Sequence, residues 1–322
     1  AGMQYLASVL PDGRILYADL TWVASIFILE ARPDQGLVSG PPVPVTKDVM
    51  AKFDPSLSRD GSKLAYVAFG GVQPPRREIR LTDLAGGGEK IFPMRSVSLA
   101  QTCRISPDGS VLSYGDIVEG KQKTFIATDR DAAGREVCED CAILGFFADP
   151  NFAVLQVKQN ALLRLNLTTG ERATIVEAGD GKITEPAPSP DDRWVAFVLD
   201  KPEGGVAMCF APLADGRPAP EKDWVRLFEE DSYLGSPAWS PDGGYLYYLS
   251  EREGSCAVWV QKLNPKSKRP EGATRTIFRP TQKGVQLNIP RGSGAVDVAA
   301  NKIALWAGEM SGNIYLATPK PK

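Results

Sequence analysis

Ser106-Pro107-Asp108-Gly109 and Ser240-Pro241-Asp242-Gly243 are two copies of one tetrapeptide, set far apart in the same chain. Ser58-Arg59-Asp60-Gly61, Leu10-Pro11-Asp12-Gly13 and Ser189-Pro190-Asp191-Asp192 are near variants. Ala148-Asp149-Pro150-Asn151 is a degenerate copy, and Ala299-Ala300-Asn301 falls in the same phase. The phases fall at residues 12, 60, 108, 150, 191, 242 and 300, a step of 41–58 residues. Self-similarity at such a period marks a repeat architecture. The chemistry of the tetrapeptide is that of a tight turn. Proline presets φ near −65°, Asp can bond its own backbone two residues on, and Gly takes a positive φ at no steric cost. Asp12, Asp60, Asp108, Asp191 and Asp242 therefore read as turn formers rather than catalytic acids.

Outward from each turn the pattern is that of short strands. Runs such as Lys63–Ala68, Val111–Tyr114, Trp194–Leu199 and Tyr245–Leu249 follow the turns directly. Second runs follow after polar loops, among them Glu78–Asp83, Thr124–Thr128, Val206–Phe210 and Ala257–Leu263. About four strands in about 45 residues is one propeller blade. The expected fold is all-β: a seven-bladed β-propeller, with six blades as the alternative, and four antiparallel strands per blade. The blades are expected near 7–50, 53–98, 101–138, 143–178, 185–229, 236–280 and 294–318, in one domain. Residues 1–6 are the candidate to close the ring. If Gly2–Leu6 form an inner strand instead, the ring has six blades or stays open.

Repeats of the form Ser-Pro-Asp-Gly-x-x-Leu-x-Tyr resemble the WD40-like repeats of TolB-type β-propellers. The resemblance covers essentially the whole chain, with stronger copies at Asp60, Asp108 and Asp242. Cys138-Glu139-Asp140-Cys141, lying between blades, and the terminal Gly312-Asn313-Ile314-Tyr315-Leu316-Ala317 resemble propeller modules fused to bacterial Ser/Thr kinases and winged-helix regulators. The resemblance implies a sensor or interaction module in a periplasmic or other extracytoplasmic compartment, with a cytoplasmic location as the alternative. Fold alone does not assign function.

Composition narrows the chemistry. The chain has 322 residues, 37 Lys+Arg against 39 Asp+Glu, and no histidine. Without histidine there is no Ser-His-Asp or Cys-His catalysis and no imidazole metal ligand. A near-neutral balance lacks the basic footprint of a nucleic-acid binder. No apolar stretch approaches about 20 residues, so direct membrane insertion is not expected. No Gly-x-Ser-x-Gly elbow or Walker loop occurs. No cofactor and no metal are expected. The chain reads as either a mature secreted chain or a piece of a longer one.

The candidate binding residues lie on the loop face expected around the channel mouth. They are Trp22, a basic sector of Arg76, Arg77, Lys121 and Lys123, an acidic sector of Glu229, Glu230, Asp231, Glu251 and Glu253, and Arg252 beside it. Most such charges in any propeller are solvated loop residues, and Trp194, Trp239, Trp259 and Trp306 read as core. Two signs of charge on one face suit a protein or peptide partner, with a small ligand in the central channel as a further occupant. Cys138 and Cys141 read as a local disulfide or a pair of loop thiols. Half a zinc site or a redox pair lacks its usual context. The first functional expectation is a non-catalytic interaction or sensor propeller. The alternatives are a carboxylate-based glycan-active enzyme and a scaffold or gate domain of a larger protein.

Overall fold

The computed structural model describes residues 2–45, 48, 50–70, 76–94, 102–128, 134–213, 217–281, 285–287 and 294–318. Five blades are four-stranded antiparallel sheets. Blade 1 comprises Ala51–Leu57, Lys63–Gly70, Arg76–Asp83 and Gly88–Pro93. Blade 2 comprises Cys103–Ile105, Val111–Val118, Lys121–Thr128 and Arg135–Glu139. Blade 3 comprises Ala142–Phe146, Phe152–Lys158, Ala161–Asn166 and Arg172–Glu177. Blade 4 comprises Lys182–Pro188, Trp194–Asp200, Val206–Pro212 and Val225–Glu230. Blade 5 comprises Leu234–Trp239, Tyr245–Ser250, Ala257–Leu263 and Pro270–Phe278.

Blade 6 is assembled from both halves of the chain. Val296–Val298 is its inner strand and pairs with Lys302–Ala317, which pairs with Ile15–Arg32, which pairs with Leu37–Pro44. Val285–Leu287 adds to the same sheet. The six inner strands pack each against the next, and Val296–Val298 against Ala51–Leu57 completes the circle. The all-β, four-strand antiparallel propeller is thus observed, and of its two blade counts the pairing gives six. The ranges 7–50 and 294–318 are the two parts of one blade. Residues 1–6 do not close the ring, because Gly2–Leu6 pairs with Tyr17–Thr21. The turn at Asp12 belongs to that hairpin, where Gly13 N donates to Leu10 O and Asp12 accepts from Arg14. One of the seven sequence phases therefore serves a hairpin, and the other six serve blades.

The Ser-Pro-Asp-Gly turns join inner to second strands and share one hydrogen-bond pattern. Ser58, Ser106, Ser189 and Ser240 each donate Oγ–H to the Asp two residues on, at 2.6 Å. Each Oγ also accepts from the backbone N–H five residues on, at 2.9–3.0 Å. The Asp then accepts from the N–H two residues beyond itself, which closes the turn. Gly61, Gly109 and Gly243 take φ of 70–72°. In blade 4 the same position is Asp192, at φ 56°.

These serines are buried, so their hydroxyls cannot exchange partners with water. Ser240→Ala orphans Tyr245 N–H and removes the Asp242 anchor. It is expected to cost about 1–3 kcal/mol in urea unfolding. A loss under about 0.5 kcal/mol, the ordinary range for surface substitutions, would overturn this account of the repeat.

Between blades the core is aromatic and aliphatic. Tyr66, Phe197, Phe210, Tyr247 and Tyr248 are fully buried, each contributing about 1.5–3 kcal/mol of burial. Trp239, Trp259 and Trp306 lie in this core, as the strand pattern expects, and Trp194 is half-buried.

Candidate functional site

The inner strands carry a second repeat, upstream of the turns. Asp54-Pro55, Glu185-Pro186 and Ser236-Pro237 each stand four residues before the turn serine. Asp54, Glu185 and Ser236 have φ of 58°, 51° and 50°. At each the pairing register slips, between Phe53 and Ser56, Thr184 and Ala187, and Gly235 and Ala238. Such a bulge re-aims one side chain out of the sheet alternation. Proline fits at this position because the bulged residue leaves the ladder.

The re-aimed groups tie each blade to its neighbour around the channel. Asp54 accepts from Cys103 N at 2.8 Å and from Arg104 Nη1 at 2.7 Å, joining blades 1 and 2. Arg104 Nε donates to Leu144 O at 3.1 Å, joining blades 2 and 3. Gln156 Nε2 donates to Ile183 O at 2.7 Å, and Ala148 N to Asp192 at 2.8 Å, joining blades 3 and 4. Ser236 N donates to Glu185 Oε2 at 2.5 Å, joining blades 4 and 5. Ala295 N donates to Ser236 Oγ at 3.0 Å, and Leu57 N to Asp297 Oδ2 at 2.7 Å, which completes the circle through blade 6.

The electrostatics follow from this burial. Burial pushes the Glu185 carboxyl up to about 7, against the lowering effect of the Ser236 hydrogen bonds. Burial likewise raises Asp297 to about 6, against donors from Leu57 and Val298. For Arg104, burial works against the charge, but Asp54 outweighs it and holds the guanidinium protonated. The lower channel is narrow, about 170 Å³, and Pro107, Pro190 and Pro241 stand at its turn-side end with Arg59.

On the opposite, loop-bearing face a wider recess of about 630 Å³ lies among blades 3, 4 and 5. Gln156, Thr184, Glu185, Asp200, Asp231 and Tyr233 supply its polar lining, with no Lys or Arg among the lining residues. Leu144 and Glu185 border both the recess and the channel. Burial raises the Asp200 carboxyl, with Lys182 opposing. Gly205, at φ 80°, lets the loop fold over the recess; a Cβ there would stand 3.3 Å from Asp231 Oδ1.

Of the residues expected on the loop face, only Asp231 lines this recess. Trp22 is not in a loop: its backbone pairs with Met310 inside a strand, and its side chain lies outside what is described. Arg76 is exposed at the start of a strand, while Arg77 is buried over the Phe53 ring at 5.3 Å. Strand alternation explains the pair, since adjacent residues face opposite sides. Lys121 and Lys123 lie on a strand and pair with Glu139 and Glu136 of the next strand.

The acidic sector is largely neutralised where it stands. Glu229 pairs with Lys201 and Arg226. Glu230 is mostly buried and pairs with Arg252, which stacks over Phe228, Tyr248 and Trp259. That cluster packs blades 4 and 5 against each other. Glu251 sits at the start of a loop outside the recess lining. The loop segments 71–75 and 288–293, part of the expected binding face, lie outside the described residues. Cys138 and Cys141 are joined by a disulfide, with Cα atoms 6.1 Å apart, at the crossing from blade 2 to blade 3. Among the described residues no group of three or more acidic or cysteine side chains could hold a metal ion. Nor is any helix there long and apolar enough to cross a membrane.

The ring-closing residues were missed by the sequence reading. The signal was present as a polar residue before proline, four positions upstream of Ser58, Ser189 and Ser240; Ser106 has Thr102-Cys103 there instead. Arg104 and Asp297 had no such signal.

Comparison with known proteins gives the fold. No family model matches the chain, and no curated protein matches it. Among solved structures, the putative TolB of Agrobacterium tumefaciens superposes with a TM-score of 0.60 at 16% identity, covering 93% of this chain and 100% of that one. TolB of Acinetobacter baumannii gives 0.59 at 15% identity, covering 78% of this chain; the match spans 65% of that protein's length. A prolyl endopeptidase structure gives 0.52 at 12% identity over 89% of this chain and 44% of that one. With its upstream polar-proline bulges, its Ser-Pro-Asp-Gly turns and this likeness, the chain has the fold of a TolB-like β-propeller.

Proposed function

We propose that this propeller is a non-catalytic interaction module, acting in an extracytoplasmic compartment, that docks a positively charged protein or peptide segment on its loop face. The observation that carries the proposal is the recess of about 630 Å³ lined by Glu185, Asp200 and Asp231 with no cation in the lining. Its volume is that of a ligand pocket, which runs about 300–1,000 Å³. Asp200 is half-buried at a strand end and Glu185 at the bulge of an inner strand, and burial costs these two carboxylates solvation that an incoming ammonium or guanidinium would restore, while Asp231 is exposed in the adjoining bend. Glu185 is also held by the Ser236 N–H and hydroxyl in joining blades 4 and 5, and Asp200 and Asp231 complete the acidic lining. A hydrolytic function has less support: the chain has no histidine and no nucleophile elbow.

Fluorescence anisotropy with a labelled lysine-bearing octapeptide, and its glutamate-for-lysine counterpart, tests this. The lysine peptide is expected to bind, and Asp200→Asn with Asp231→Asn to weaken it at least about tenfold, or about 1.4 kcal/mol. Equal binding of both peptides, or no effect of the double substitution, would sink the proposal.

A further inference from the structure

Among the four turns that begin with serine, one departs from the repeat at its second position. Ser106, Ser189 and Ser240 are followed by Pro107, Pro190 and Pro241, but Ser58 is followed by Arg59. The position matters because it faces the channel. The three prolines are half-buried at its turn-side end, and Arg59 lines the same end. The Arg59 backbone is fixed from both sides. Its N–H donates to Pro107 O of blade 2 at 2.7 Å, and its carbonyl accepts from Ala300 N of blade 6 at 2.9 Å. The side chain then crosses the mouth, where Nη2 reaches Pro190 O at 3.4 Å. Pro190 belongs to blade 4, which stands opposite blade 1 in a ring of six.

Among the described residues four charged side chains line the channel, and three are engaged. Arg104 bonds Asp54 and Leu144 O, Glu185 accepts from Ser236 N, and Asp297 accepts from Leu57 N. Arg59 differs. Its guanidinium carries five N–H donors. Its one bond there, to Pro190 O, is longer than the usual 2.7–3.2 Å, and no described carboxylate forms an ion pair with it. Asp192 feels its charge at longer range, but Asp192 Oδ1 already accepts from Ala148 N. The wall beyond Arg59 is apolar, with Leu57, Ile105, Phe146, Ala238 and Trp239 beside the prolines.

We propose that the turn-side half of the channel binds a small monocarboxylate, its carboxylate on the Arg59 guanidinium and its apolar body against the prolines and Trp239. The recess lies at the other end of the channel, so the proposal stands independently of the peptide-docking reading. Three features favour this ligand. The planar guanidinium fork matches a carboxylate through two parallel bonds. One unpaired guanidinium balances one negative charge, and Asp192 nearby opposes the second charge of a phosphate monoester. The channel's volume of about 170 Å³ equals the share of about six water molecules, at about 30 Å³ each. A carboxylate on a body of a few carbons fits that space, and a drug-sized ligand, which needs about 300–1,000 Å³, does not.

Saturation-transfer difference NMR with hexanoate and with uncharged hexanamide, from about 0.1 to about 10 mM, tests this, a span suited to a ligand of so few atoms. Saturable binding of hexanoate is expected, with hexanamide at least about tenfold weaker and no displacement of hexanoate by equimolar inorganic phosphate. Arg59→Met keeps the length of the side chain and removes its charge. It is expected to weaken hexanoate at least about tenfold and to leave the thermal melt unchanged, because the residue is exposed. Arg193→Met, exposed at the blade 4 turn but outside the channel lining, is expected to leave binding intact. No saturable binding, hexanamide binding as tightly as hexanoate, displacement by equimolar phosphate, unchanged binding in Arg59→Met, or equal loss with Arg193→Met would each overturn it.

Discussion

Arg104→Ala is expected to lower the free energy of unfolding by about 3–5 kcal/mol, the cost of leaving a buried carboxylate without its partner. Arg104 lies at the junction of three blades. Its Nη1 bonds Asp54 and the Cys103 carbonyl, and its Nε bonds Leu144 O. Asp54 has few ways to compensate, because the residue is 2% exposed and its second oxygen already accepts from Cys103 N. Equilibrium unfolding in urea measures the loss. Arg104→Ala combined with Asp54→Asn should recover a part of it, since the Asp54 side chain then carries no charge that needs a partner, although buried Arg77 loses the support of the same carboxylate. A single-substitution loss below about 1 kcal/mol, within the range of an exposed ion pair, would show that the ring does not depend on this junction.

The second large effect concerns pH. Folding raises the Glu185 carboxyl from 4.5 to about 7, chiefly through burial. The folded state therefore favours the protonated form more strongly than the unfolded chain does. The associated stability is fully present below pH 4.5 and is lost as pH rises through about 7. At 1.36 kcal/mol per unit, this amounts to about 3 kcal/mol. Asp297 adds a decline of the same sign, between 3.8 and about 6.

Glu185→Gln removes the first titration and keeps an oxygen for Ser236 N–H. The variant is expected to be more stable than the parent at pH 8, by about 2–3 kcal/mol, and level with it near pH 4.5. Parallel stability curves for the two proteins across that range would refute the assignment. Because Glu185 also lines the recess, the variant separates two roles. Its stability gain reports on blades 4 and 5, and any change in peptide affinity reports on the docking surface.

Much of the architecture was legible because turn chemistry is local. Ser106, Asp108 and Gly109 make the same bonds as Ser240, Asp242 and Gly243 because those bonds span only five residues. The site was far less legible. Arg76 and Arg77 look alike in sequence, yet strand alternation exposes one and buries the other. Glu230 and Arg252 look like solvated loop charges, but pairing brings them together above three aromatic rings. Asp200 drew no notice at all. It gained meaning only when the ends of blades 3, 4 and 5 met around it.

The sequence by itself determined the class of fold, the turns and the strand period, since each rests on φ preferences and hydrogen bonds between near neighbours. It also removed imidazole chemistry outright. The tertiary structure alone decided the number of blades. Seven turn phases became six blades when Ile15–Arg32 paired with Lys302–Ala317, a contact between opposite ends of the chain. It also decided which charges became fasteners and which remained available to a partner. Those outcomes depend on groups that are distant in sequence, and on whether water or another blade reaches them first.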